Sequence, residues 1–239
     1  VRSPRRTAAT ASAVMIGVAL VGLVTIIAAT IRATTDALVA DRFRSDLVVQ
    51  TSGFGGAGLS PRLADRLEAL DEVGVVTRIR QGPVKIGEEL TFASAADMGT
   101  IERTVRFEVV QGSFAAVTGD SIAVSDEAAA EYGWSVGSVA EITFGRTGTV
   151  PLEVAAVFTA EGPGADVYLP LEAWNANFVE RTDATVFVSF ADGVPDEEAR
   201  AAVEAVADAF PGTAVLDQTE FRDQAVAQLD AFVLLVYAL

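Results

Sequence analysis

The sequence predicts an α+β domain held outside a membrane. An α/β subdomain of two β-α-β units is interrupted by a β-rich subdomain, and transmembrane helices flank the whole. Three observations carry this reading. A charge-free run of 25 residues, Thr7 to Ile31, lies behind Arg2, Arg5 and Arg6. Strand–helix–strand patterns occupy residues 46–80 and again 184–217, with a chain of short alternating strands over 83–180 between them. Charge is also split along the chain. All 33 acidic residues lie at or beyond Asp36, so residues 1–35 carry +4 and the remainder −20.

Taken in order, residues 1–6 read as a cytoplasmic N-terminus and 7–31 as a membrane helix. At about 1.5 Å per residue that helix reaches roughly 37 Å, enough to cross a hydrocarbon core of about 30 Å. Three arginines before the span place its start inside the cell, because Lys and Arg near membrane ends are retained there. Arg32, Arg42 and Arg44 beyond the span work against that orientation. A secretory signal peptide competes for residues 1–31, but its apolar region is ordinarily about 7–15 residues long. Within the span Ala9, Ala13 and Gly17 stand four apart on one face, a spacing that lets helices approach closely. Alternatively, small residues are simply common here. Residues 31–45 carry Ile31, Ala37, Leu38 and Phe43 at loosely helical spacing, so 32–45 reads as a helical stalk.

Residues 46–217 form the predicted extracytoplasmic domain. Asp46 to Thr51 reads as a strand, followed by a glycine loop from Ser52 to Leu59. Ser60 then caps a helix with Pro61 in its first turn and Leu63, Leu67 and Leu70 on one stripe. Val73 to Arg80 is β-rich and completes the first unit. In the insert, 83–86, 89–93, 104–110 and 121–124 are short strand candidates. Ser125 caps a short helix ending at Gly133, and 139–158 alternates as a hairpin turned by Gly145 to Gly148. The second unit runs through a strand at Ala184–Phe190 and a helix opened by Pro195. That helix carries a stripe of Ala199, Ala202, Val203, Val206 and Phe210; a strand at Thr213–Leu216 follows. From Thr219 an amphipathic helix through Phe221, Ala225 and Leu229 leads into nine apolar residues, 231–239. Nine residues span only about 13 Å as a helix, so 219–239 reads as the start of a second membrane helix and the chain as a fragment.

Composition narrows the chemistry. No His and no Cys removes the usual ligands of zinc, haem and iron–sulfur centres, and any disulfide framework. A domain at −20 lacks the basic face that nucleic acid requires. Gly53-Phe54-Gly55-Gly56-Ala57-Gly58 fits the spacing of a dinucleotide fingerprint. Its glycines precede the helix cap instead of entering the first turn, so a flexible connector is the better reading. No Gly-Lys-Ser/Thr occurs, so the chain carries no ATP-binding P-loop. A Ser–Lys dyad would have to use Lys85, the single lysine. Asp126-Glu127 and Glu197-Glu198 sit at helix starts, where they offset the helix dipole. Asp71-Glu72 lies in no calcium-loop pattern. No catalytic residue, cofactor site or metal site is expected. Trp134 and Trp174 read as core or hinge packing, with a partner-binding aromatic as the alternative.

The string Ser3-Pro4-Arg5-Arg6-Thr7-Ala8-Ala9, leading into Met15-Ile16-Gly17, resembles the opening of the second half of FtsX-like ABC transporter permeases. Ser3 stands where that family usually has Asn. Further along, three stretches resemble the MacB-like periplasmic core domain in order: Val109-Val110-Gln111-Gly112-Ser113-Phe114, Ser121-Ile122-Ala123-Val124-Ser125, and Trp134-Ser135-Val136-Gly137-Ser138. Leu169-Pro170-Leu171 continues the series. The resemblance implies a non-enzymatic permease subunit whose external domain transmits ATP-driven movement. It implies a cytoplasmic ABC ATPase as partner, other permease helices or a second permease copy, and membrane lipid. Outside, a lipid, lipoprotein, peptide or cell-wall hydrolase would be engaged. A membrane-anchored sensor or adhesive domain without a transport role is the alternative.

Overall fold

The computed structural model describes Met15, residues 44–52, 58–159 and 165–224, and Ala227. The expected membrane helix with Arg2, Arg5, Arg6, Ala9, Ala13 and Gly17, the stalk up to residue 43, the apolar stretch 231–239 and glycine-loop residues 53–57 lie outside the described residues. Among the described residues no helix is long and apolar enough to cross a membrane. Residues 41–219 form one compact unit.

Four strands and two helices build the first half of that unit. Strand β1 (Leu47–Thr51) leads to helix α1 (Pro61–Glu68) and then β2 (Val73–Ile86). Much later, β9 (Thr185–Phe190), α5 (Asp196–Ala207) and β10 (Thr213–Asp217) complete it. The order β10-β1-β9-β2 interleaves the two β-α-β units, with β9 inserted between β1 and β2 and β1 between β9 and β10. All neighbours run antiparallel, the split β-α-β arrangement of ferredoxin-like folds. Alternation explains the layering. Leu47 and Val49, Val76, and Val186 and Val188 face the helices, where Leu63, Leu67 and Val203 meet them in one core. Pro61 opens α1 as expected, but Ser60 at its N-cap makes no side-chain capping bond. In α5, Asp196, Glu197 and Glu198 occupy the first turn, where their charge complements the helix dipole.

The β-rich insert is not a separate sheet. Residues 79–86 of β2 pair with β3 (Glu89–Ala96) on the edge opposite β9, and Lys85 and Ile86 also pair with β6 (Val139–Phe144). From there the pairing closes on itself. β3 pairs with β8 (Val167–Pro170), β8 with β5 (Ser121–Ser125), β5 with β7 (Gly148–Phe158), β7 with β6, and β6 with β2. Six strands thus make a small closed barrel, and closure leaves no open edge around the ring. Alternate residues fill it: Val84 and Ile86, Ala93 and Ala95, Ile122 and Val124, Ala140, Ile142 and Phe144, Leu152 and Val154, Val167 and Leu169. Off the ring, β4 (Val109–Gly112) adds to β7.

Two local expectations change. Residues 73–80 and 83–86 are one continuous strand. Its Pro83 lies between Ile79, the last β2 residue paired with β9, and Lys85, the first paired with β6, so one edge asks no hydrogen bond of that stretch. The expected strand at 104–110 is instead helix α2 (Ile101–Thr104), a single bridge residue at Val105, irregular chain over 106–108, and strand only from Val109. Asp97 starts that turn, its carboxylate accepting from Gly99 N–H and its carbonyl from Thr100 and Ile101 N–H. Helix α3 (Asp126–Tyr132) matches its signals. Ser125 Oγ accepts from Ala128 N–H at 3.0 Å, and Gly133 closes the helix at a positive φ of 68°.

Candidate functional site

The chain comes into this unit and leaves it at one place. Leu47, the first residue of β1, stands in register opposite Asp217, the last of β10. Adjacent strands lie about 4.8 Å apart, so the two ends of the unit are neighbours. Polar contacts tie each of them down. On the incoming side, Arg44 N–H donates to Thr104 carbonyl at 2.9 Å and Arg44 Nη1 to Glu102 carbonyl at 3.1 Å. Asp46 N–H donates to Val188 carbonyl, and the Asp46 carboxylate accepts from Phe190 N–H at 2.7 Å. On the outgoing side, Arg200 of α5 donates to Glu204 at 2.8 Å and to Asp217 at 3.2 Å. Gln218 Nε2 donates to Ser45 carbonyl at 2.9 Å and joins the two sides directly. Residues 218–224 continue as helix.

An open groove of about 360 Å³ lies beside these contacts, with Asp46, Asp196, Glu197 and Asp217 against the single cation Arg200 in its lining. Arg200, Glu204 and Asp217 are half-exposed and Asp46, Asp196 and Glu197 exposed, and ion pairs in such positions stabilise by about 0–1 kcal/mol each. They hold the end of β10 against α5.

A second polar cluster sits deep inside. One face of β2 carries Val76, Arg78, Arg80, Gly82 and Val84 in sequence. Val76 belongs to the helix-covered core and Val84 to the barrel core. Arg78 reaches Asp65 and Glu68 on α1 at 3.0 and 2.7 Å. Arg80 is 5% exposed; its Nε donates to Asp183 Oδ1 at 2.8 Å and its Nη1 to Asn175 Oδ1 at 2.8 Å. Asn175 lies on α4 (Leu171–Asn177). Asp183 is fully buried, and its Oδ2 has no hydrogen-bond partner. Burial pushes the Asp183 carboxyl above its ordinary value, and the Arg80 guanidinium pulls it back only in part. Next along β2, Gly82 leaves room for Trp174 and Phe178. A Cβ there would come within 2.9 and 2.8 Å of their rings, which stack at 3.7 Å.

The residues weighed for chemistry do not converge. Lys85 is exposed on the outer barrel face opposite Leu90 and Thr143, with no serine among its strand partners. Asp126-Glu127 and Glu197-Glu198 occupy helix first turns. Among the described residues no group of three or more acidic side chains could hold a metal ion. Trp174 is 1% exposed in the core, whereas Trp134 is half-buried beside Tyr132. Gly58, the described residue of the glycine loop, has a φ of 80° and lies against Thr182, where a Cβ would approach to 2.7 Å. Sequence reasoning missed the Arg80 cluster. The available signal was a pair of arginines, two residues apart, directly after the Val-rich start of β2.

Comparison with known proteins agrees with this architecture. Residues 7–206 match the family model of the MacB-like periplasmic core domain. The fold is similar to the periplasmic region of MacB from Actinobacillus actinomycetemcomitans, at 12% identity and a TM-score of 0.56, covering 76% of this chain and 92% of that one. It is also similar to the extracellular domain of the noncanonic ABC-type transporter YknZ from Gram-positive bacteria. There the identity is 14% and the TM-score 0.50, covering 72% of this chain and 99% of that one. At these identities the likeness is one of fold. No curated protein matches by sequence.

Proposed function

We propose, from the premise that the chain belongs to the MacB-like periplasmic core domain family, that it is part of an FtsX/MacB-like ABC transporter permease. Its domain works outside the membrane as a non-catalytic transmitter of movement. A separate cytoplasmic ATPase supplies the energy, and residues 46–217 carry the movement to a substrate or partner outside. The membrane helix 7–31, the stalk 32–45 and the helix from Thr219 onward are the tethers. Arg2, Arg5 and Arg6 hold the N-terminus in the cytoplasm, and Ala9, Ala13 and Gly17 pack against other permease helices.

One observation supports this reading above others: the two ends of the unit lie side by side, Leu47 in register with Asp217 and Gln218 bonded across to Ser45. A body gripped at one end by two neighbouring attachments follows any tilt of those attachments. A floppy linker would lose that tilt within a few residues.

Flexible Gly-Ser segments inserted between Arg32 and Asp46, and again before Phe221, test it. Complementation of a deletion strain is expected to fail with both inserts present. The ATPase should still copurify with the permease, and the unit should keep its thermal midpoint. Full complementation by the doubly loosened protein overturns the proposal.

A further inference from the structure

Two hydrophobic cores meet along one strand here, and between them lies a buried polar cluster. Residues 47–80 with 185–217 surround the first core, and the barrel surrounds the second. The chain leaves the first along β2 near Arg80 and returns through residues 178–184; between these crossings the turn at 97–104 also lies back against the first half, where Thr77 Oγ1 donates to Thr100 Oγ1 at 2.8 Å and Arg44 N–H to Thr104 carbonyl at 2.9 Å. Ile79 is the last β2 residue paired with β9, so Arg80 is the first residue of β2 beyond that pairing. Asp183 is the corresponding point on the return. Its N–H and carbonyl pair with Leu59, at 3.0 and 2.7 Å, and Ala184 N–H donates to Ile79 carbonyl at 2.7 Å.

We infer that Arg80, held by Asp183 on one side and Asn175 on the other, is a positioning residue that fixes the angle between the barrel and the helix-covered half. This deepens the transmitter reading and rests on it. An unpinned junction would let the barrel swing on β2 and absorb the movement it should pass on.

The geometry suits this role in three ways. First, the guanidinium is planar and forked, so bonding two partners at once fixes direction as well as distance. Apolar contacts between the two cores have no such directionality. Second, Asp183 and Asn175 belong to different bodies. Asp183 is anchored to Leu59 of the helix-covered half, and Asn175 to a helix packed on the barrel. Third, the cluster lies in a dry setting, where breaking a charged bond is not compensated by water. Asp183 has no exposed surface and one unbonded carboxylate oxygen, so the pair is retained despite incomplete satisfaction. A cluster serving stability alone would be served as well by apolar residues of similar volume, because replacing a buried ion pair that way is often neutral or stabilising. Bulk reinforces the pin. The Trp174–Phe178 stack wedges over Gly82, two residues along the same face of β2.

Spin labels in the full-length permease test the inference. These 239 residues hold no cysteine, so, with any cysteine elsewhere in the permease replaced by serine, Glu141→Cys on the barrel and Ala205→Cys on α5, both exposed, give one inter-half distance. The parent protein should show a single narrow distribution. Arg80→Met should broaden it by about twofold or more, the signature of a freed hinge. Combining Arg80→Met with Asp183→Leu should restore the thermal midpoint but leave the distribution broad, because apolar contact replaces the energy and not the direction. A distribution as narrow as the parent's in the restored double variant overturns the inference, since packing alone would then set the angle. Should the single variants fail to fold, Asn175→Ala removes one arm of the fork with less cost, and an unbroadened distribution there overturns it equally. The measurement needs no ATP and no transported substrate. A pinned angle with unimpaired complementation in the Gly-Ser insert protein would therefore sink the transmitter reading and leave the pin standing.

Discussion

Replacing Trp174 by alanine should be among the most damaging single changes in the unit. Trp174 is 1% exposed, stacks on Phe178 at 3.7 Å with the rings 12° from parallel, and donates from Nε1 to Glu180 carbonyl at 3.0 Å. A buried tryptophan removes about 200 Å² from water, worth about 5 kcal/mol at about 25 cal/mol per Å². Aromatic-to-alanine truncations in cores cost about 3–5 kcal/mol, which agrees. The lost hydrogen bond adds little, because Glu180 is exposed and its carbonyl can turn to water. For a unit of this size about 2–4 °C is lost per kcal/mol, so the midpoint should fall by about 6–20 °C. Calorimetry of residues 41–219, run on parent and variant, measures this. Gly82 sharpens the test. Gly82→Ala alone forces a Cβ to 2.9 Å from the tryptophan ring and should destabilise. In the Trp174→Ala background the same substitution should cost less, because half of the obstruction is gone. A fall below about 3 °C for Trp174→Ala, or strictly additive costs in the pair, would show that the wedge over β2 has been misread.

Gly112→Ala should destabilise by about 2 kcal/mol or more, since φ is 74° and a Cβ would lie 2.0 Å from Ala155 carbonyl; Gly87→Ala, at φ 60° with nothing nearby, should cost only about 1 kcal/mol, and chemical denaturation compares them. Acidification should act on Asp183 with an unusual sign. Its folded value is raised above the ordinary 3.8, so between the two values the native state holds a proton that the unfolded chain has released. Stability from this group therefore rises as pH falls through that window and levels off below about 3.8. Thermal midpoints of parent and Asp183→Asn against pH should converge or diverge only within it, and a constant difference would refute the shift. Ser3→Cys should resist a membrane-impermeant thiol reagent in intact cells, as the cytoplasmic placement of the N-terminus requires, and rapid labelling would refute that orientation.

Much of the local structure was legible because local signals are short-range. Ser125 and Gly133 bracket α3 by cap chemistry, and alternation at 139–158 and 184–190 reads directly as half-buried strands. Alternation says which residues face a core and is silent about which strand lies alongside. The interleaving of β9 between β1 and β2 was therefore invisible, as was barrel closure through the last two residues of β2. Gln81-Gly82-Pro83 reads locally as a break, yet the strand continues. Glycine is needed there for the Trp174–Phe178 stack, and proline falls where one strand edge is unpaired. Arg80 was missed for a related reason. Its partners lie 95 and 103 residues away, and no pattern within a strand points that far.

The placement of the two attachments also decides what kind of load the domain can bear. β1 and β10 are antiparallel neighbours, and the chain comes in at Leu47 and goes out at Asp217, at the same end of the pair. Pulling those ends apart would open the ladder from that end one hydrogen bond at a time, the weakest way to load two strands. Moving them together loads nothing in the ladder, and the whole sheet follows. Gln218 to Ser45 and Arg200 to Asp217 guard the end where such opening would begin. On the transmitter proposal, the domain would work with tethers that tilt or shift in concert and fail with tethers that separate. Removing the Gln218 amide by Gln218→Leu should therefore leave the resting fold almost unchanged. It should also lower the force at which the unit opens when pulled between its two attachments in a single-molecule trap. An unchanged opening force would show that the contact across the two ends bears no load.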